Sequence, residues 1–207
     1  MKSIKKKFFK SNVLTLLIFA IQPSNDTSNS LESLLESNTM EAEAPESVPF
    51  KGPYINNDFY HFKEALAFKE SQGRYYIVNK YGYLGKYQFG KTTLERFAIY
   101  DTKEFLKNHE LQEQAFIALC KVNKWILRKD IQRSVGKKIN GIVITESGIL
   151  AAAHLAGAGN VKKFLRSQGN TTFADAFGTS IENYMEKFAG YDTSNIVKDR
   201  MPSLKAA

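Results

Sequence analysis

Glu70 ends an apolar stretch, ALAFKE, and Ser71 follows it directly. Gly82 comes twelve residues after Glu70, Gly85 three later and Gln88 three after that. Tyr75, Tyr76, Tyr81, Tyr83 and Tyr87 fall in the same segment, so half of the ten tyrosines sit within 13 residues. A carboxyl at an apolar helix end has its neutral form favoured by desolvation. A neutral carboxyl is what a general acid needs to hand a proton to a glycosidic oxygen. Tyrosine offers a flat apolar face and a hydroxyl, a combination that suits sugar rings with apolar faces and polar rims. Taken alone, a helix-end Glu is an ordinary solvated residue. Its setting singles this one out.

Glycosidases commonly work with two carboxylates, a proton donor plus a nucleophile or a base that activates water. The candidates for a partner are Glu95, Asp101, Glu113 and Glu146. Glu95 is better explained as a capping-box partner of Thr92, Asp101 as a helix N-cap, and Glu146 as a first-turn acid favoured by the helix dipole. Glu113 sits in no recognisable motif. One acid therefore stands out. Cys120 is the only cysteine, in the apolar pattern AFIALCKV, and reads as a buried structural thiol. His61 and His109 read as surface or packing residues. No Cys/His spacing suggests a metal site, no phosphate-cradling loop is present, and no cofactor is implied.

Helical periodicity dominates the elements that would carry these residues. Asp58–Lys69 places Phe59, Phe62, Ala65 and Leu66 on one face. Residues 71–91 are punctuated by Gly73, Gly82, Gly85 and Gly90, which predicts tight turns and one small hairpin. Asp101 precedes a further short helix. Asn108 is a candidate cap for a long helix over 110–134, ended by Gly136. Helices are expected over 146–155, stopped by Gly157; over 161–167, stopped by Gly169; and over 180–189, stopped by Gly190. The expected fold is mainly α, with a Gly/Tyr-rich irregular or hairpin lobe.

Composition sets the outer frame. The chain has 207 residues, 43% of them hydrophobic, and a net charge of +8. That excludes a collagen-like repeat and a wholly disordered polymer. The charge falls in three blocks. Residues 1–22 carry five Lys and no acid, and residues 23–50 carry six acids and no base. Residues 51–207 carry 24 bases against 15 acids. Lys2, Lys5, Lys6, Lys7 and Lys10 precede a short apolar run from Val13 to Ile21, the pattern of a secretory signal and too short for a membrane span. An amphipathic or buried N-terminal helix is the alternative. Residues 23–50, rich in Ser, Asn and Glu, read as a flexible acidic linker. The folded domain is expected over 51–207. The expected location is outside the cytoplasm, periplasmic or extracellular.

The Glu70 segment resembles the soluble lytic transglycosylase and goose-type lysozyme family, glycoside hydrolase family 23. The family's Glu-Ser, Gly, Gly and Gln appear here as Glu70-Ser71, Gly82, Gly85 and Gln88, at the family's intervals. Its Gly-Leu-Met-Gln reads Gly85-Lys86-Tyr87-Gln88, with both hydrophobic positions changed. Farther on, AAAHLAGAGNV resembles the Ala-Tyr-Asn-Ala-Gly block, with His154-Leu155 in place of Tyr-Asn before Ala156-Gly157. Tyr184-Met185-x-x-Phe188 looks like the late helix that sets a Tyr beside the acid. The matches run in family order over about Phe59 to Tyr191.

That resemblance implies a lysozyme-like fold with Glu70 as catalytic acid/base and Ser71 orienting it or the sugar. Gln88 would contact substrate, with Gly85 allowing close backbone approach and Tyr87 beside them in the motif. His154, Ala156 and Gly157 would line the substrate site, and Tyr184 would hydrogen-bond the Glu70 carboxyl. Leu155 leaves one contact of the family unfilled. His154 either compensates or simply packs. The implied substrate is the glycan strand of peptidoglycan, with no nucleic acid and no stable membrane span. A secretion or cell-wall machinery partner stays open. A single acid favours transglycosylation over hydrolysis; a non-catalytic glycan-binding module is the rival from another class. A nucleic-acid binder would also explain a basic domain. However, Arg128, Lys129, Arg133, Lys137 and Lys138 read more simply as a solvated helix end.

Overall fold

The structure is a computed structural model and describes residues 57–204. The leader over 1–22, the linker over 23–50 and the domain start at Lys51 lie outside the described residues. Within them the chain is mainly helical, with one small two-stranded antiparallel sheet.

Helix α1 spans Phe59–Ser71; Asp58 caps it by accepting from the His61 amide, and Phe59, Phe62 and Leu66 face the core. Gln72 ends it in the left-handed conformation. Helix α2 spans Lys91–Glu95, and its N-cap is Gly90, with no side-chain hydrogen bond. The capping role expected of Thr92 is therefore not taken up, because the helix begins two residues earlier than a Thr92 cap would start it and places Thr92 in its first turn. Helix α3 spans Thr102–Lys107, capped by Asp101, whose carboxylate accepts from the Lys103 and Glu104 amides. Asn108 caps α4, His109–Ser134, through the Leu111 amide.

The expected hairpin lies elsewhere. Residues 71–91 form turns with isolated bridges, Val78 to Leu84 and Leu84 to Phe89, and no strand. The sheet is instead β1, Lys138–Ile139, against β2, Ile142–Val143. Asn140 and Gly141 join them with positive φ of 49° and 83°. An Asn-Gly pair between β-branched residues favours that two-residue turn.

Helix α5, Glu146–Arg166, joins the two segments expected over 146–155 and 161–167 and breaks only at Gly157, where φ is 78° and ψ 147°. Helix α6, Ile181–Lys187, opens on a Ser180–Asn183 capping box. Helix α5 packs against both α4 and α6. Phe62, Phe116, Ile149, Phe164 and Phe188 are fully buried in one core. Cys120 is a free thiol in that core, and burial pushes its pKa up. Asp130, buried on α4, accepts from Arg133 at 2.6 Å and from Arg166 of α5 at 2.9 Å. Among the described residues no helix is long and apolar enough to cross a membrane.

Candidate functional site

The end of α1, the 77–90 turns, the start of α2, α4, α5, the 175–179 loop and α6 surround one cleft of about 980 Å3. Glu70, Gln88, His154, Gly157 and Tyr184 all line it, although they come from widely separated parts of the chain. Its size falls in the range of ligand-binding clefts.

Glu70 is half-buried on the last turn of α1. The Tyr184 hydroxyl donates to Glu70 Oε1 at 2.6 Å. Burial, and then the negative charge of Glu70, push the Tyr184 pKa up, so the phenol stays a donor. Only Oε1 is engaged among the hydrogen bonds of the described residues, which leaves Oε2 free to exchange a proton with a bound molecule. Gln88 has a φ of 50°, and its Nε2 donates to the Gly85 carbonyl at 2.9 Å. His154 Nε2 lies 2.8 Å from the Tyr87 carbonyl. A carbonyl only accepts, so Nε2 carries the hydrogen; in the neutral ring Nδ1 is then an acceptor, and it is buried without a partner.

Four residues expected at the substrate site are placed elsewhere. Ser71 is buried, and its hydroxyl donates to the Lys86 carbonyl at 2.7 Å while accepting from the Arg74 amide. It ties α1 to the turn before Gln88 rather than touching Glu70 or a sugar. Gly85 is buried against α4, where an added Cβ would lie 2.2 Å from Gln112 Oε1. The close backbone approach it permits is to Gln112, not to substrate. Tyr87 is fully buried, stacked on Phe116 with centroids 4.2 Å apart, and its hydroxyl donates to Glu113 at 2.8 Å. Ala156 does not line the cleft; its carbonyl accepts from Asn160.

The tyrosine cluster divides accordingly. Tyr81 and Tyr83 line the cleft, while Tyr75 stacks on His109 at 3.9 Å and donates to Glu113 at 2.7 Å. His61 pairs with Asp58. Glu113 is the hub of a polar knot, contacted by Lys63, Lys86, Tyr75 and Tyr87. Burial opposes its ionisation, but those four donors outweigh burial and hold its pKa at about 2. It is a structural anion. Glu146 is likewise occupied, by Lys124 and Thr193.

Two cleft residues escape the sequence reading. Asp175 is a second carboxylate on the wall, its Oδ1 accepting from the Phe177 and Thr179 amides at 2.9 and 2.8 Å. Asn123 of α4 lines the cleft at 5% exposure. No group of three His, Cys, Asp or Glu side chains positioned to hold a metal occurs among the described residues. Part of the basic run is tied down: Arg128 lies over the Trp125 ring, and Arg133 pairs with Asp130. No family model, curated protein or solved structure matches the chain.

Proposed function

We propose that the chain is a peptidoglycan-cleaving lytic transglycosylase of lysozyme-like fold. It would act outside the cytoplasm on the β-1,4 bond between MurNAc and GlcNAc. The observation that carries this reading is Glu70 on the cleft wall with Tyr184 donating to Oε1 at 2.6 Å, across 114 residues of sequence. The family resemblance pairs the same two residues, and Gln88 and Gly157 share their cleft.

The chemistry needs one acid used twice. Glu70, protonated on Oε2, gives its proton to the glycosidic oxygen as the C1–O bond breaks. The resulting carboxylate takes the proton from the C6 hydroxyl of the same MurNAc, whose oxygen bonds to C1. The proton returns to Glu70, and the new end is a 1,6-anhydro sugar. Tyr184 holds the carboxyl in one rotamer through both half-reactions. No water enters the balance.

A hydrolytic muramidase is the second reading, and Asp175 favours it as a second carboxylate on the same cleft. One experiment separates the readings: intact sacculi are digested and the products weighed by mass spectrometry. Wild type is expected to release anhydro-muropeptides, Glu70→Gln to release none while staying folded, and Asp175→Asn to give the wild-type product. Reducing ends that disappear with Asp175→Asn would establish the hydrolase. Full activity of Glu70→Gln would sink both readings, and glycan binding by an inactive wild type would leave a binding module.

A further inference from the structure

We infer that Asn123 is a sugar-recognition residue whose side-chain amide reads the acetamido group of an N-acetylated hexosamine. The inference rests on the proposed function for its substrate class and adds a residue that neither the motifs nor the resemblance assigns. Asn123 is 5% exposed and lines the cleft from α4. None of the side-chain hydrogen bonds among the described residues involves it, and neither of its polar side-chain atoms is among the sealed, unpartnered ones. The amide therefore reaches the cleft itself. Leaving so deep an amide unpaired is unfavourable unless something else supplies its partners.

The same helix shows what a structural amide looks like. Gln112, fully buried, donates from Nε2 to the Tyr75 and Phe105 carbonyls and accepts the Lys86 amide on Oε1. Every group of Gln112 is used inside the fold; those of Asn123 are not.

An amide presents an acceptor and donors side by side. In the trans acetamido group the N–H and the carbonyl point in opposite directions, so a single side-chain amide engages one of them: Asn123 Nδ2 donates to the acetamido carbonyl, whose oxygen stands two bonds farther from the ring than a hydroxyl oxygen at the same carbon and is not replaced by it. Leu119, one turn before Asn123 and also on the cleft wall, offers apolar surface to the acetamido methyl. Leu155 of α5, also on the cleft wall, stands where the resembling motif has Asn. An amide missing from α5 is thus present on α4.

The test uses the full chain carrying Glu70→Gln, so that ligand is bound without turnover, and titrates it calorimetrically with chitotetraose and with cellotetraose. Chitotetraose is expected to bind at least about tenfold more tightly, and adding Asn123→Leu, close in volume, is expected to remove about that factor for chitotetraose alone. Asn123→Ser, with circular dichroism on both variants, guards against a folding defect. Equal losses for the two sugars, no loss, or no chitotetraose binding would overturn the assignment. Sacculus digestion by wild type runs in parallel. Discrimination by Asn123 without any cleavage would defeat the transglycosylase reading and leave this one standing.

Discussion

Tyr184 is the residue on which the proposed chemistry most depends after Glu70. Its hydroxyl is the partner of Glu70 Oε1 and comes from α6, so the carboxyl is oriented by an element remote from its own helix. A hydrogen bond to a charged group contributes about 1.5–3 kcal/mol. Tyr184→Phe keeps the ring packed on Phe188, 5.2 Å away, and removes only the donor. We expect kcat to fall roughly ten- to hundredfold, with KM and the melting temperature little changed. Steady-state kinetics on soluble glycan chains would measure this. A fall in stability with kcat unchanged would make Tyr184 a packing residue instead. Tyr87 belongs to the opposite case. It neighbours Gln88 in the four-residue turn over 85–88 between the bridged Leu84 and Phe89, where the left-handed backbone of Gln88, φ 50°, turns its side chain to the cleft while Tyr87 enters the core. The motif shows which residues are adjacent in sequence; only the pairing of Leu84 with Phe89 shows which way each points.

At the scale of elements, the Glu70–Tyr184 contact depends on how closely α6 approaches α5. Gly148, in the first turn of α5, makes that approach possible, since a Cβ there would lie 2.6 Å from the Met185 carbonyl oxygen. A backbone atom cannot swing aside as a side chain can. Gly148→Ala should therefore displace α6 and carry Tyr184 with it, costing about 1–3 kcal/mol of stability and a measurable part of kcat. Gly159→Ala is the control, because it lies on the same helix with open space around its Cβ. It should leave activity unchanged and stability equal or slightly raised. Thermal melts and digestion assays on the pair decide it; identical behaviour would remove Gly148 from the positioning of the site. Helix ends were readable from caps such as Asp58, Asp101, Asn108 and Ser180, because capping is a local interaction. The Asn140-Gly141 turn is equally local, whereas the glycines before residue 91 give the irregular form of the expected lobe, turns with isolated bridges, and not a hairpin. Asn123 and Asp175 had no local signature. Each reaches the cleft only because α4, α5 and the 175–179 loop meet there, and such contacts between distant segments leave no spacing in the sequence to read.

For the whole molecule, the Glu113 knot joins what the site needs to what the fold can tolerate. Lys86 is 5% exposed, and its ammonium donates to Glu113 and Glu64 at 2.8 Å each. Its backbone carbonyl accepts Ser71, and its amide donates to Gln112. One residue thus fixes the turn bearing Gln88 to both α1 and α4. Burial of Lys86 works against its charge, but the bonds to Glu113, Glu64 and Tyr75 prevail and raise its pKa. Glu113 is held at about 2, below its usual 4.5. A depressed carboxyl stabilises the fold above its unfolded pKa, and that stability drains as pH falls through the folded one. The raised lysine contributes fully below its usual 10.5 and loses its share only as pH climbs past that. Between about 4.5 and 10.5 the knot is intact. As pH drops from 4.5 to 2, the protein should lose on the order of 2–3 kcal/mol through Glu113 alone. Glu113→Gln should be less stable at neutral pH, because Lys63 and Lys86 lose one of their two anions and keep only Glu64, yet its stability should change less over that acid range. Denaturant melts of both proteins at several pH values measure the two slopes, and parallel slopes would remove Glu113 as their source. If the acid slope belongs to Glu113, substrate affinity should weaken over the same range in wild type, because the knot that melts is the one holding Gln88 on the cleft wall.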